Sequence, residues 1–288
     1  MGKSISKYCY IYLHLKTKHE YDFYRAIIRR YNMENDRKLF AVLLVACIFG
    51  TIAVLPYTLT LQGELIQNLP VPLYVLLTAQ LIQSIILFGV AIFIGLHLAR
   101  KVGLGLPILN GWLEGRDVKK YLRSILGVSV GLGILASILI IGLDYLFSLS
   151  GVTINVTQDS INPPAWQGFF ASFYGGINEE ILLRLFVMTF IAWILFKVKR
   201  TDQGKPTSSG MWLAIVLAAV IFGAGHLPAV MTITTLTPLV IVRTIVLNAA
   251  GGIIFGWLYW KKGLESAMIS HFSADIVLHV ILPLIALI

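Results

Sequence analysis

The chain has 288 residues, 57% of them hydrophobic and 13% charged, with a formal net charge of +9 and a mean hydropathy of +0.82. A soluble domain carries about 25% charged and about 45–50% apolar residues, so this composition excludes an ordinary soluble fold. The positive charge could suggest a nucleic-acid partner, but it is gathered between bilayer-length apolar runs, and no nucleic acid needs to be invoked.

In chain order, residues 1–38 form a basic N-terminal segment with nine Lys and Arg, ahead of a membrane domain over 39–288. This charge-rich start, followed by an apolar run longer than an h-region, does not match a signal peptide. Its aromatics (Tyr8, Tyr10, Tyr12, Tyr21, Phe23, Tyr24 and Tyr31) could line an interfacial helix, although a plain basic juxtamembrane segment is the simpler reading. Apolar runs of about 20 residues predict spans over Leu39–Leu61, Val71–Leu98, Tyr121–Leu149, Trp166–Phe196, Met211–Val230, Pro238–Trp260 and Gly263–Leu287. The fourth is longer than one crossing needs and should tilt or extend into water. The last carries Pro283, where it should kink or split. A closed β-barrel would show short alternating segments instead. The expected fold is therefore an all-α polytopic bundle of about seven spans, or eight. Cys9 and Cys47 imply no disulfide framework, and Cys47 reads as a small packing residue.

The loops set an expected topology. Residues 100–123 hold six Lys and Arg, residues 197–205 hold four, and Lys261 and Lys262 add two; the alternate connections Gln62–Pro70, Ser150–Ala165 and Met231–Thr237 hold none. This positive-inside pattern predicts a cytosolic N-terminus and a multi-pass protein of the cell membrane, with the bilayer as its standing partner.

Arg184 and Arg243 fall inside predicted spans, and so do Glu179, Glu180, His226, His271 and Asp275. Such groups cost several kcal/mol each at membrane depth and point to function. On a helix, Glu180 and Arg184 share a face and can pair. Glu179 is turned about 100° away from Glu180, which leaves it free of that arginine and available as a general base. Phe222 and His226 are again four apart, so the ring can wall a pocket beside the imidazole. His271 and Asp275 repeat the spacing, and the carboxylate can orient the imidazole. At about 1.5 Å per residue, Glu179 lies roughly 20 Å from the outer end of its span and His271 roughly 12 Å from the cytosolic end of its own, which brings them to one depth. His226 counts out nearer the external face and disagrees.

Glu179-Glu180-x-x-x-Arg184, Phe222-x-x-x-His226 and His271-x-x-x-Asp275, in that order on three spans, resemble the CPBP family of CAAX prenyl proteases and bacteriocin-processing or self-immunity proteins. The resemblance covers about Gln167 to Asp275, with the motifs within 167–275. It implies an intramembrane endopeptidase acting on a peptide or protein substrate at the membrane, prenylated or carrying a leader peptide. Glu179 and His226 would activate water; Glu180 and Arg184 would be the supporting pair, with Phe222 beside them; His271 and Asp275 would stabilise the oxyanion. The CAAX members commonly have Asn where this chain has Asp275, and an ionised Asp cannot donate to an oxyanion. Asp275 must then be protonated, orient His271 or bind metal. Zinc is possible, with Glu179, His226 and His271 as its ligands, but there is no H-E-x-x-H helix and the CAAX members are thought to work without zinc. No metal or other cofactor is favoured.

Other residues read more plainly. Arg243 should snorkel, Asp144 should be interfacial, His279 should be packing, and Ala249, Ala250, Gly251 and Gly252 should form a close helix contact. Two further function classes stay open: a non-proteolytic scaffold or bacteriocin self-immunity protein of the same fold, and a transporter, which would often show inverted repeats.

Overall fold

Seven long apolar helices follow from the seven apolar runs, because a chain in hydrocarbon must satisfy its backbone groups internally. The computed structural model describes residues 18–151 and 163–286. Within them are α1 (Glu34–Leu61), α2 (Leu73–Val102), α3 (Lys119–Leu149), α4 (Ala165–Val198), α5 (Ser208–Met231), α6 (Pro238–Lys262) and α7 (Leu264–Ile285). The last run makes one crossing, so the described residues contain seven spans. No strand forms among them, only an isolated bridge between Arg200 and Pro206. Phe93, Ile86, Val45 and Leu149 are exposed on the outside of the bundle, an apolar surface suited to lipid rather than water. The helix that begins α1 runs from Lys18 to Ala53 without a break, and a second short helix, Leu55–Leu61, completes the span. Tyr8, Cys9, Tyr10 and Tyr12 lie outside the described residues, as do the side chains of Tyr21, Phe23, Tyr24 and Tyr31.

Local chemistry sets the helix ends. Thr207 accepts from the N–H of Gly210 at 3.1 Å and Thr237 from that of Val240 at 3.2 Å, each satisfying a donor that the first turn leaves free. The basic connections share one end of the bundle. Lys101 lies over the Trp193 ring at 5.9 Å, and Leu264 N–H donates to the Gly105 carbonyl at 3.0 Å. The α6–α7 turn is a single residue, Gly263, at φ +93; a side chain there would be strained and would run into Pro107.

Polar and small residues hold the helices together inside. Ser129 of α3 meets Ser266 of α7 at 2.7 Å. Asn178 of α4 is fully buried and donates to the Cys47 carbonyl at 2.9 Å and to Thr51 at 3.1 Å. Cys47 is a buried, free thiol. In the run from Ala249 to Gly252, Gly252 makes the close contact: a Cβ there would sit 2.9 Å from that of Ala219 on α5. Arg243 is held in an ion pair. Its Nε donates to Asp144 at 2.7 Å, joining α6 to α3, because Asp144 is the acidic group within its reach.

Helix α4 departs from α geometry at its centre. Tyr174–Glu179 and Ile181–Met188 are π-helical, and Val277–Ile281 of α7 is as well. Such wide turns are uncommon and concentrate at functional sites. The π turn of α7 has a covalent cause. Pro283 has no N–H for the carbonyl four residues back, that of His279. Pro283 therefore widens α7 rather than dividing it.

Candidate active site

The π segment of α4 carries Gly175, Gly176, Asn178 and Glu179, and Glu180 follows directly after it. Asn178 ties this segment to α1, while the two glycines admit α7. A Cβ at Gly175 would collide with the Asp275 carboxylate and lie 3.2 Å from His271 Nε2, and one at Gly176 would come within 3.0 Å of Phe272. Only glycine lets α7 bring its imidazole and carboxylate this close to the two glutamates.

Glu180 is fully buried. Its Oε1 lies 3.0 Å from Arg184 Nη1, as the four-residue spacing predicts despite the wider turn. Nη1 is not aimed along a hydrogen bond; the guanidinium donates instead through Nη2 to the Gly252 carbonyl at 3.2 Å. The guanidinium carbon sits 4.9 Å from the Phe222 ring centre and 5.4 Å from that of Phe255, so two aromatic faces replace part of its lost hydration. The same Glu180 oxygen accepts from His271 Nδ1 at 2.8 Å. Spacing suggested Asp275 as the residue orienting His271. Glu180 makes that hydrogen bond, and Asp275 faces the other ring nitrogen, with Oδ1 3.7 Å from Nε2.

His226 sits where α5 breaks. Its backbone N–H turns to the Gly223 carbonyl at 3.2 Å, which frees the Phe222 carbonyl to accept from His226 Nδ1 at 2.9 Å. Pro228, two residues on, has no N–H to continue the ladder. The Phe222 ring stands edge-on to His226 at 4.7 Å. Depth is resolved by the hairpin: residues 180–198 descend α4 and the equal stretch 208–226 climbs α5, so Glu180 and His226 reach one level. His226 counted out nearer the external face because α4, at 34 residues against 24 for α5, extends further past the site.

The catalytic-type atoms converge without touching. Glu179 Oε1 is 3.9 Å from His226 Nε2 and Oε2 is 3.6 Å from His271 Nε2. These gaps exceed a direct hydrogen bond and are of the kind that a water spans. Glu179 is the more open of the two glutamates, with 21% of its side chain exposed against none for Glu180. Both imidazoles donate through Nδ1 to acceptors behind them, so the unpaired nitrogen of each, Nε2, faces Glu179. The three motifs therefore meet at one place. Among the described residues, no three of His, Cys, Asp and Glu converge as a metal-holding set.

Three features of this site were not read from the sequence. Phe255 stacks on His271 at 4.6 Å and 18°, and no motif marks it. Gly175-Gly176 and Asn178, all inside a span beside a glutamate pair, were visible signals of close approach and buried bonding. His279, expected to be packing, contacts Tyr57 through Nδ1 at 3.3 Å and lies 4.0 Å from Asp275 through Nε2.

A family model described as Rce1-like, type II CAAX prenyl endopeptidase Rce1-like, matches residues 161–277. That segment contains all three motifs. No curated protein and no solved structure matches the chain.

Proposed function

We propose that this multi-pass membrane chain, whose residues 161–277 match an Rce1-like CAAX endopeptidase family model, hydrolyses a peptide bond of a membrane-associated substrate with water activated by Glu179 and His226. The reading rests on one observation: Glu179 faces two Nε2 atoms at 3.6 and 3.9 Å, while Glu180 is occupied by Arg184 and His271.

The steps need only the chain's own residues. A water between Glu179 and His226 gives a proton to Glu179 as its oxygen attacks the substrate carbonyl carbon. The carbonyl electron pair moves to oxygen, and His271, as an imidazolium paired with Glu180, offers its Nε2–H to that oxyanion. When the intermediate collapses, the C–N bond breaks and Glu179 returns its proton to the departing amine. Phe222 and Phe255 keep bulk water from the supporting pair, which strengthens each charge interaction there. No metal enters these steps. The substrate is a prenylated or leader-bearing peptide reached at the membrane, and the basic end of the bundle lies in the cytosol of a cell membrane.

The test is Glu179→Gln in purified protein, assayed against prenylated and unprenylated peptides. General-base catalysis contributes roughly 10²–10⁴ in rate, so the variant should lose at least about a hundredfold with folding unchanged. Full cellular function in Glu179→Gln would overturn the proteolytic reading in favour of a scaffold or immunity protein.

A further inference from the structure

Three imidazoles of this molecule are built alike, and only two belong to the motifs. His226, His271 and His279 each have Nδ1 held from behind, by the Phe222 carbonyl at 2.9 Å, Glu180 at 2.8 Å and the Tyr57 hydroxyl at 3.3 Å. Each then turns Nε2 towards a carboxylate: His226 and His271 towards Glu179 at 3.9 and 3.6 Å, and His279 towards Asp275 at 4.0 Å. Asp275 Oδ1 thus lies between two imidazoles, with His271 Nε2 at 3.7 Å on its other side.

The partner of Nδ1 separates His279 from the other two. A carbonyl or a carboxylate can only accept, so His226 and His271 carry their Nδ1 proton outward. A phenol can donate. With the Tyr57 O–H given to Nδ1, neutral His279 carries its proton on Nε2 and presents an N–H to Asp275. Tyr57 also meets the His279 ring edge-on at 5.6 Å, which fixes the ring plane. The backbone is placed to suit. His279 lies in the π segment that Pro283 opens, and Gly168 of α4 makes room for its carbonyl, which a Cβ there would strike.

We propose that His279 and Tyr57 form a positioning arm for Asp275. Through a water that the 4.0 Å gap admits, Nε2–H of His279 holds the carboxylate against His271, so that Asp275 is kept as an oriented acceptor beside His271 Nε2. This inference rests on the proteolytic reading above.

The experiment measures kcat and KM for peptide cleavage by the full-length protein in detergent or liposomes, with melting temperature measured in parallel. His279→Phe keeps a ring but removes the N–H; losing this water-bridged hold on the carboxylate should lower kcat about tenfold, with KM within about twofold, since binding groups are untouched. Tyr57→Phe should show a smaller fall of the same kind. His279→Gln, which retains an amide N–H, should recover most of the loss. Asp275→Asn should keep measurable activity, and adding His279→Phe in that background should change kcat by less than about twofold, because contacting residues that act as a unit are non-additive. An equal loss from His279→Phe in both backgrounds would overturn the arm. So would wild-type kcat in His279→Phe, a loss that merely tracks melting temperature, or complete inactivity of Asp275→Asn. Failure of the wild-type chain to cleave any peptide would instead remove the proteolytic reading, and the arm with it.

Discussion

Glu180 joins two roles that can be separated by mutation. Its Oε1 neutralises Arg184 at 3.0 Å and accepts from His271 Nδ1 at 2.8 Å. In Glu180→Met, the guanidinium stays fully buried with only the Gly252 carbonyl and the Phe222 and Phe255 faces around it. Removing one partner of a buried pair costs about 3–5 kcal/mol, whereas replacing both by apolar groups is often neutral or better. At roughly 2–4 °C per kcal/mol for a chain of this size class, Glu180→Met should melt on the order of 10 °C lower in detergent. Glu180→Met with Arg184→Met should recover most of that stability. It should not recover peptide cleavage, because His271 still lacks the acceptor that sets its tautomer and orientation. Melting by tryptophan fluorescence, alongside peptide cleavage, follows both quantities on one preparation. A normal melting temperature for Glu180→Met, or a double variant as unstable as the single, would refute the buried-pair argument. A stable and fully active double variant would refute the link to His271.

Reporter fusions after Lys120 and after Lys262 should report the cytosol and one after Ser160 the exterior; two of three in the wrong compartment would overturn the positive-inside assignment. Prolonged chelation should leave cleavage intact and metal analysis should find well below one zinc per chain, while stoichiometric zinc lost together with activity would reassign Glu179, His226 and His271 as ligands. Gly175→Ala should push the Asp275 carboxylate away from α4 and cut cleavage by at least about tenfold, since misplacement by about 1 Å can cost 10²-fold; unchanged kinetics would mean that the α4–α7 contact is looser than its geometry.

The sequence by itself determined the spans, the all-helical class and the three motif-bearing helices. In lipid the backbone must bond within its own segment, so an apolar run of sufficient length has almost no other fold. It also determined the Glu180–Arg184 contact, because residues four apart meet within one helix whatever surrounds it. Contacts between helices were a different matter. Hydropathy carries little information on how far one helix slides or rotates against the next, and the π turns of α4 and α7 shift the phase that α periodicity assumes. Only the tertiary structure therefore decided that Glu180, not Asp275, orients His271, and that His226 reaches the level of Glu179 by way of the α4–α5 hairpin. The Arg243–Asp144 pair and the Tyr57–His279 contact have the same origin. Each joins residues about a hundred or more positions apart, brought together by packing that glycines such as Gly175 and Gly252 permit and that no local spacing encodes.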